Sequence, residues 1–506
     1  MPDSMKISAL IKRLSPRRIE GSQDTEISGL FYDSRKVVEQ GAFFALRGVA
    51  ADGHRFIDQA LRAGASAVFT EEHVSLPGGV TGVLVDDTRL ALALAAASFY
   101  EEPAADIPVV GVTGTNGKTT VTYLVESILE VAGKRPAVLG TVNYRFGEHC
   151  LPAAHTTPES ADLLRILADF RKEGCDALAM EVSSHALDQH RVAGVHFDVG
   201  VFTNLTREHL DYHGKMEAYF ASKARLFDQV ASGGGRVVLN IDDPYGVRLA
   251  DRFPSALTCG VSDRAQVRPR EVRLSLGGIE ALVDTPRGAF ALRSALLGRF
   301  NLQNLLCAAA AALALEIPLE AVAEGLEKAR AVPGRMESID NRLGAQILVD
   351  YAHTGDALEK ALSTMKDLSP RRIVVVFGCG GDRDRSKRPL MGEIGARLAD
   401  LSVLTSDNPR SEDPMSILAE VREGARRVIP EEWSPEEARK AEGRGFVSIC
   451  DRAEAIEFAV SLLGPGDLLL VAGKGHEDYQ IVGRQRLHFD DREELRRALA
   501  RLETSA

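Results

Sequence analysis

The densest chemistry in the sequence lies in Thr113-Gly114-Thr115-Asn116-Gly117-Lys118-Thr119-Thr120. Glycines let backbone N–H groups approach phosphate oxygens, a lysine adds positive charge, and a threonine hydroxyl can join a magnesium ion. The segment reads as a nucleotide phosphate loop, with Gly114, Thr115, Asn116, Gly117, Lys118, Thr119 and Thr120 on ATP. Its spacing is not the strict Walker pattern, because Val112 stands where that pattern has its first glycine. By itself the loop says only that phosphate binds.

Four further groups carry chemistry. Glu181 closes the apolar run 177–180, and a carboxylate at a strand end beside a nucleotide is a natural magnesium ligand. Residues 203–214 hold His209, His213, Glu208 and Asp211, a set able to bind metal or move protons. Lys223, read alone, is a surface lysine on an amphipathic helix. Arg383, Arg410 and Glu477 follow separate apolar runs and suit a zwitterion, with the arginines forking onto carboxylates and the glutamate taking an ammonium.

These residues need elements to hold them. Residues 107–112 are a short β-branched run before the loop, and a helical pattern covers about 120–132. Apolar runs at 347–349, 373–377, 401–404 and 468–471 alternate with helical stretches, and each is followed by polar loop residues. Continuous apolar strands separated by helices predict a parallel sheet covered on both faces, with ligands beyond the carboxyl ends of its strands. A chain of 506 residues suggests about three domains. Breakers at 102–106 and 331–335 divide it into residues 1–105, 106–334 and 335–506.

The balance of 45% hydrophobic and 26% charged residues is that of a globular chain. A net charge of -11 argues against binding nucleic acid, whose phosphates need a basic surface. Six cysteines without a CxxC fit a reducing cytoplasm rather than a disulfide framework or a zinc site. No apolar run is long enough to span a bilayer, and the N-terminus lacks the features of a signal peptide. The expectation is a cytoplasmic protein without membrane insertion, taken as a monomer.

Taken together, the motifs resemble the Mur ligase family of peptidoglycan synthesis over nearly the whole chain. The resemblance rests on Gly114–Thr119, Glu181-Val182-Ser183-Ser184-His185, Asn204 through His209, Lys223, Pro333-Gly334-Arg335-Met336-Glu337 and Asp350-Tyr351-Ala352-His353. The nearest branch adds the third stem-peptide residue to UDP-N-acetylmuramoyl-L-alanyl-D-glutamate. The resemblance implies three α/β domains: an N-terminal UDP-sugar domain, a central P-loop parallel-sheet ATPase domain and a C-terminal Rossmann-like domain. It implies that Asn304, Arg335 and Asp350 join the ATP site. It further implies that Lys223 is carbamylated by CO2, and that this carbamate, Thr119, Glu181 and His209 hold Mg2+. Lys118, Lys223, His209 and Glu181 are then the catalytic set.

The same resemblance puts Ser34, Thr156, Thr157, Ser183, Gln189 and Arg191 on the UDP substrate. The sequence Asp407-Asn408-Pro409-Arg410 looks like the family's mark of meso-diaminopimelate selection, with Arg383, Gly473 and Glu477 holding the rest of that ligand. The chemistry agrees: diaminopimelate has a distal carboxylate that lysine lacks, and a pocket built for a charge rejects the analogue without it. One departure is Glu208, where the family usually has aspartate. The implied reaction activates the D-glutamyl carboxylate as an acyl phosphate, which the amine then attacks, and three domains holding three substrates imply closure of the third onto the second. A lysine-adding ligase is the sister reading, which Arg410 argues against. Folylpolyglutamate synthase is another, opposed by Asp33-Ser34-Arg35. A P-loop small-molecule kinase is the reading from a different class.

Overall fold

The computed structural model describes residues 4–48, 51–329 and 331–505. The chain divides into two compact units. The first comprises residues 1–270, 282–291 and 303–329, and the second comprises 271–281, 292–302 and 330–506.

The first unit contains two larger sheets besides the two-stranded pairing of Met5–Lys6 with Glu26–Ile27. Near the N-terminus, Arg18–Glu20, Thr81–Leu84, Ala65–Thr70, Gly41–Phe44 and Gly29–Phe31 lie side by side in that order. All neighbours are parallel except the first pair. The rings of Phe44 and Phe69 stack at 4.1 Å in this core. The second sheet has eight strands, and its centre decides the chemistry. Val109–Thr113 runs between Ala177–Glu181 and Val199–Phe202, parallel to both, with Val112 opposite Glu181 and Thr113 opposite Phe202. Three adjacent strands therefore end at one level.

The helix after the phosphate loop, Lys118–Val131, forms because Val121, Leu124, Val125, Ile128 and Leu129 recur at helical spacing and are all buried. It starts two residues before the sequence pattern suggests, since Gly117, at φ +85°, turns the chain directly into it.

The second unit is built on six strands. In spatial order they are Glu337–Ser338, Gln346–Asp350, Asp467–Ala472, Arg372–Cys379, Leu401–Ser406 and Gly445–Ser448. All pairs are parallel except the short first one. Its strands are apolar throughout because both faces are covered. Leu348, Val375, Phe377, Leu404 and Leu470 pack into one core cluster, whereas Ile347, Val349, Val374, Val376 and Leu469 pack into the other. The four expected apolar runs are the four central strands. Among the described residues, no helix is long and apolar enough to cross a membrane.

Candidate active site

The phosphate loop is held by the neighbouring strand end. The Thr115 amide donates to the Asn204 carbonyl at 2.8 Å, and the Asn116 amide donates to Asn204 Oδ1 at 3.0 Å. Thr203 Oγ1 donates to the Asn116 carbonyl at 2.6 Å. Two glycines are required by close approach. A Cβ on Gly114 would lie 1.9 Å from Thr203 Oγ1, and one on Gly117 would lie 2.3 Å from Asn304 Oδ1. Asn304 is thus brought against the loop across 187 residues of chain. The Val121 amide bonds back to the Gly117 carbonyl at 2.9 Å. Backbone amides at the start of a helix are the groups that an anion engages. Lys118 Nζ folds onto the carbonyls of Gly114 and Thr115 at 3.0 and 2.8 Å.

Glu181 is buried, and both its oxygens are oriented by one residue. Oε1 accepts from the Thr141 amide at 2.8 Å, and Oε2 accepts from the Thr141 hydroxyl at 3.0 Å. Thr141 was not singled out in the sequence, where an isolated threonine gives no signal. Beside it, Thr156 Oγ1 lies 3.2 Å from Thr141 Oγ1, and Thr157 Oγ1 donates to the Glu181 carbonyl at 2.9 Å. The Ser183 amide donates to Thr157 Oγ1 at 3.0 Å. Arg191 donates to the Thr157 carbonyl at 2.9 Å and grips Gln189 Oε1 through Nε and Nη2 at 3.1 and 2.7 Å. Thr156, Thr157, Ser183, Gln189 and Arg191 therefore form one cluster, although 35 residues separate its ends. Ser34 Oγ donates to Gln59 Oε1 at 3.0 Å, and the Tyr32 hydroxyl reaches Asp162 Oδ2 at 2.5 Å.

Lys223 is not a surface lysine. It is 1% exposed, and its amine donates to the Gly114 carbonyl at 2.8 Å. The helix Met216–Ser232 buries Tyr219, Leu226, Phe227 and Val230 on the same stripe. Lys223 stands four residues after Tyr219 and four before Phe227, a spacing that marks it as inward-facing. Burial pushes the amine well below the ordinary lysine range, the charge of Lys118 adds to this, and Glu208 opposes it. His209 is exposed, with φ +54° and its ring 3.7 Å from the Glu208 carboxylate. It belongs to an aromatic group in which His185 lies 5.0 Å from it, 4.2 Å from Tyr212 and 5.5 Å from His213. Burial lowers the pKa values of His185 and His213. Among the described residues, no group of three or more His, Cys, Asp and Glu side chains is arranged to hold a metal ion by itself. The hydroxyl of Thr119 and the carboxylate of Glu181 are hard oxygen donors, the chemistry magnesium prefers.

In the second unit, Asp350 accepts the Met336 and Ala352 amides, each at 2.8 Å, and burial raises its pKa against the pull of Arg335. The Arg335 guanidinium carbon lies 5.1 Å from the centroid of the Tyr351 ring. Asp407, Asn408 and Glu477 converge on a residue that carries no local signature in the sequence. Lys474 is fully buried and reaches Asp407 Oδ1 at 3.5 Å, Asn408 Oδ1 at 3.4 Å and Glu477 Oε2 at 3.4 Å. Asn408 Nδ2 also donates to Glu477 Oε2 at 3.1 Å. A Cβ on Gly473 would lie 3.6 Å from Asp407 Oδ2. Following Pro409, Arg410 has φ +52° and donates from Nη1 to the Gly381 carbonyl at 2.6 Å. Arg383 lies on the exposed loop after Arg372–Cys379.

Comparison with known proteins gives this arrangement its context. Residues 26–100 match the Mur ligase family catalytic domain, 112–312 the Mur ligase middle domain, and 334–475 the Mur ligase glutamate ligase domain. UDP-N-acetylmuramoyl-L-alanyl-D-glutamate–2,6-diaminopimelate ligase of Geobacter metallireducens is 51% identical, over 98% of this chain and 99% of its own. The protein of that name from Geobacter sulfurreducens is 49% identical over 97% and 98%. A solved structure titled as the same ligase is 33% identical, covers 99% of both chains and superposes with a TM-score of 0.74. With similarity spanning its whole length and the family's domains in order along it, the chain belongs to the Mur ligase family.

Proposed function

We propose that this chain is an ATP-dependent ligase that adds meso-2,6-diaminopimelate to UDP-N-acetylmuramoyl-L-alanyl-D-glutamate in peptidoglycan precursor synthesis. The observation that carries the reading is the loop Asp407–Arg410. Its arginine sits two residues from Asn408, which hydrogen-bonds Glu477 on the loop after another strand of the same sheet, so two strand-end loops together offer a guanidinium for a carboxylate and a carboxylate for an ammonium. Full-length relatives bearing that ligase name support it.

A carboxylate does not react with an amine at neutral pH until it is activated. A D-glutamyl γ-carboxylate oxygen attacks the γ-phosphorus of ATP, the bond to the bridging oxygen breaks, and ADP leaves. The diaminopimelate amine then attacks the acyl carbon, loses a proton, and the tetrahedral intermediate expels phosphate. Lys118 would turn from the carbonyls of Gly114 and Thr115 to the phosphates, and the first-turn amides would hold them. Asn304, Arg335 and Asp350 complete the proposed ATP contacts. Thr156, Thr157, Ser183, Gln189 and Arg191, with Ser34, would orient the UDP substrate.

Thr119, Glu181, His209 and carbamylated Lys223 would hold Mg2+, which supplies charge neutralisation at the transferring phosphoryl group. The buried amine of Lys223, its pKa lowered well below the ordinary lysine range by burial, suits the carbamate reading. A neutral amine attacks CO2, loses a proton, and becomes an anionic oxygen donor. Soluble nucleotide substrates fit a cytoplasmic enzyme.

The test is phosphate release with ATP and the UDP-dipeptide, offering meso-diaminopimelate or L-lysine. Diaminopimelate should stimulate release, with kcat/KM about 100-fold or more above that for lysine. Equal use of lysine removes the specificity claim, and no stimulation by either amine removes the ligase claim.

A further inference from the structure

The second unit buries a cation that none of the chemistry above uses. Arg388, in the first turn of Lys387–Leu398, has a side chain with no exposure at all. Its guanidinium forks onto Glu412, Nη1 to Oε2 at 3.0 Å and Nη2 to Oε1 at 2.7 Å. It also reaches the Gly380 carbonyl at 3.2 Å and Glu420 Oε2 at 3.1 Å. Glu412 Oε1 in turn accepts the Asp382 amide at 2.6 Å, and its carboxyl is held down at about 2, chiefly by Arg388.

These bonds join two loops. Gly380 to Asp382 lead to Arg383, and Asp407 to Glu412 contain Arg410. The loops are stitched directly as well. The Gly381 amide donates to the Asn408 carbonyl at 2.9 Å, and Arg410 Nη1 donates to the Gly381 carbonyl. Ser411 donates to the Asp382 carboxylate from Oγ and N, at 2.7 and 3.1 Å. Arg410 has a left-handed backbone that L residues avoid, so the loop keeps this shape only where its surroundings impose it. The seat beneath is rigid. A Cβ on Gly392 would lie 1.9 Å from the Val421 carbonyl oxygen, and one on Gly424 would lie 1.8 Å from that of Pro389, so the two supporting helices touch backbone to backbone.

We propose that the buried Arg388–Glu412 fork is a positioning device that fixes the Arg410 loop against the Arg383 loop, and so sets the selection of an amino acid with a second, distal carboxylate. This rests on the ligase reading above. An arginine that pairs with a carboxylate discriminates only while its geometry is held, because bidentate bonds are strongly directional. Neither Arg388 nor Glu412 needs to touch substrate.

The experiment compares the wild type with Glu412→Gln and Arg388→Lys, using diaminopimelate and L-lysine as amines. Intrinsic fluorescence of Trp433 in the same unit checks folding. The expected result is a fall of at least tenfold in kcat/KM for diaminopimelate, carried mainly by KM. KM for ATP and for the UDP substrate should stay within twofold, and the low rate with lysine should not move. Selectivity then falls by the same factor. Loss of general stability would lower both amines in parallel, and that outcome overturns the proposal. So does a diaminopimelate KM within twofold of wild type in both variants. The ligase reading is judged separately on the wild type. If that protein shows no phosphate release stimulated by diaminopimelate, the reading falls and this inference with it.

Discussion

The Arg452–Asp491 pair gives a stability prediction whose size follows from geometry. Both side chains are without solvent exposure. Arg452 Nε and Nη2 each lie 2.7 Å from an Asp491 oxygen, and Nη2 also donates to the Ala472 carbonyl at 3.0 Å. Ala472 ends the strand that leads to Gly473 and Lys474. Arg452→Met leaves the buried Asp491 carboxyl without its cationic partner and removes a donor from the Ala472 carbonyl. Breaking such a pair from one side costs about 3–5 kcal/mol. Trp433 is the only tryptophan in the chain and packs beside the core cluster containing Ile456 and Phe458. Its fluorescence therefore follows this unit alone. With a urea slope of about 3 kcal/mol per molar, the midpoint should drop by about 1–1.7 M. Arg452→Met/Asp491→Leu, which removes the orphaned charge, should recover most of the loss. A single-variant shift under about 0.3 M, or a double variant no better than the single, would refute the argument that an uncompensated buried charge sets the cost.

Two further predictions concern titratable groups. Burial, then Arg335 and Arg492, lower the His476 pKa to about 4. The unfolded chain thus binds a proton between about pH 6.5 and 4 that the folded one refuses, so stability rises with pH through that window and is fully present above it. The contribution is about 2–3 kcal/mol, and the Trp433 urea midpoint of His476→Gln should depend less steeply on pH than that of wild type. Parallel pH profiles would refute this. Lys223→Ala should lose about 100-fold or more in phosphate release and regain part of it with a short-chain carboxylate, and near-normal activity without that addition would remove the carbamate reading.

Much of the architecture was legible because local rules decide it. An apolar run of three to five residues ending in glycine or polar residues is a strand buried on both faces, and the four such runs after residue 340 are the four central strands of the second unit. The phosphate loop was readable because glycine, lysine and threonine spacing is itself the chemistry. Side-chain environment was less accessible, since it depends on which distant segments meet. Lys223 read alone is a solvated lysine, the family resemblance implies a site residue, and the structure buries it. Thr141, Lys474, Arg388 and Glu412 carry no local signature. Each matters through partners at other strand ends, such as Glu181 for Thr141 and the Asp382 amide for Glu412. Cys259 and Cys307, distant in sequence, bring their sulfurs to 3.6 Å. The sequence alone determined which residue types could bind phosphate, metal and a zwitterion, because those affinities belong to the side chains. Only the tertiary structure decided which were desolvated, oriented and paired, because parallel strands gather loops separated by scores of residues at one edge of a sheet.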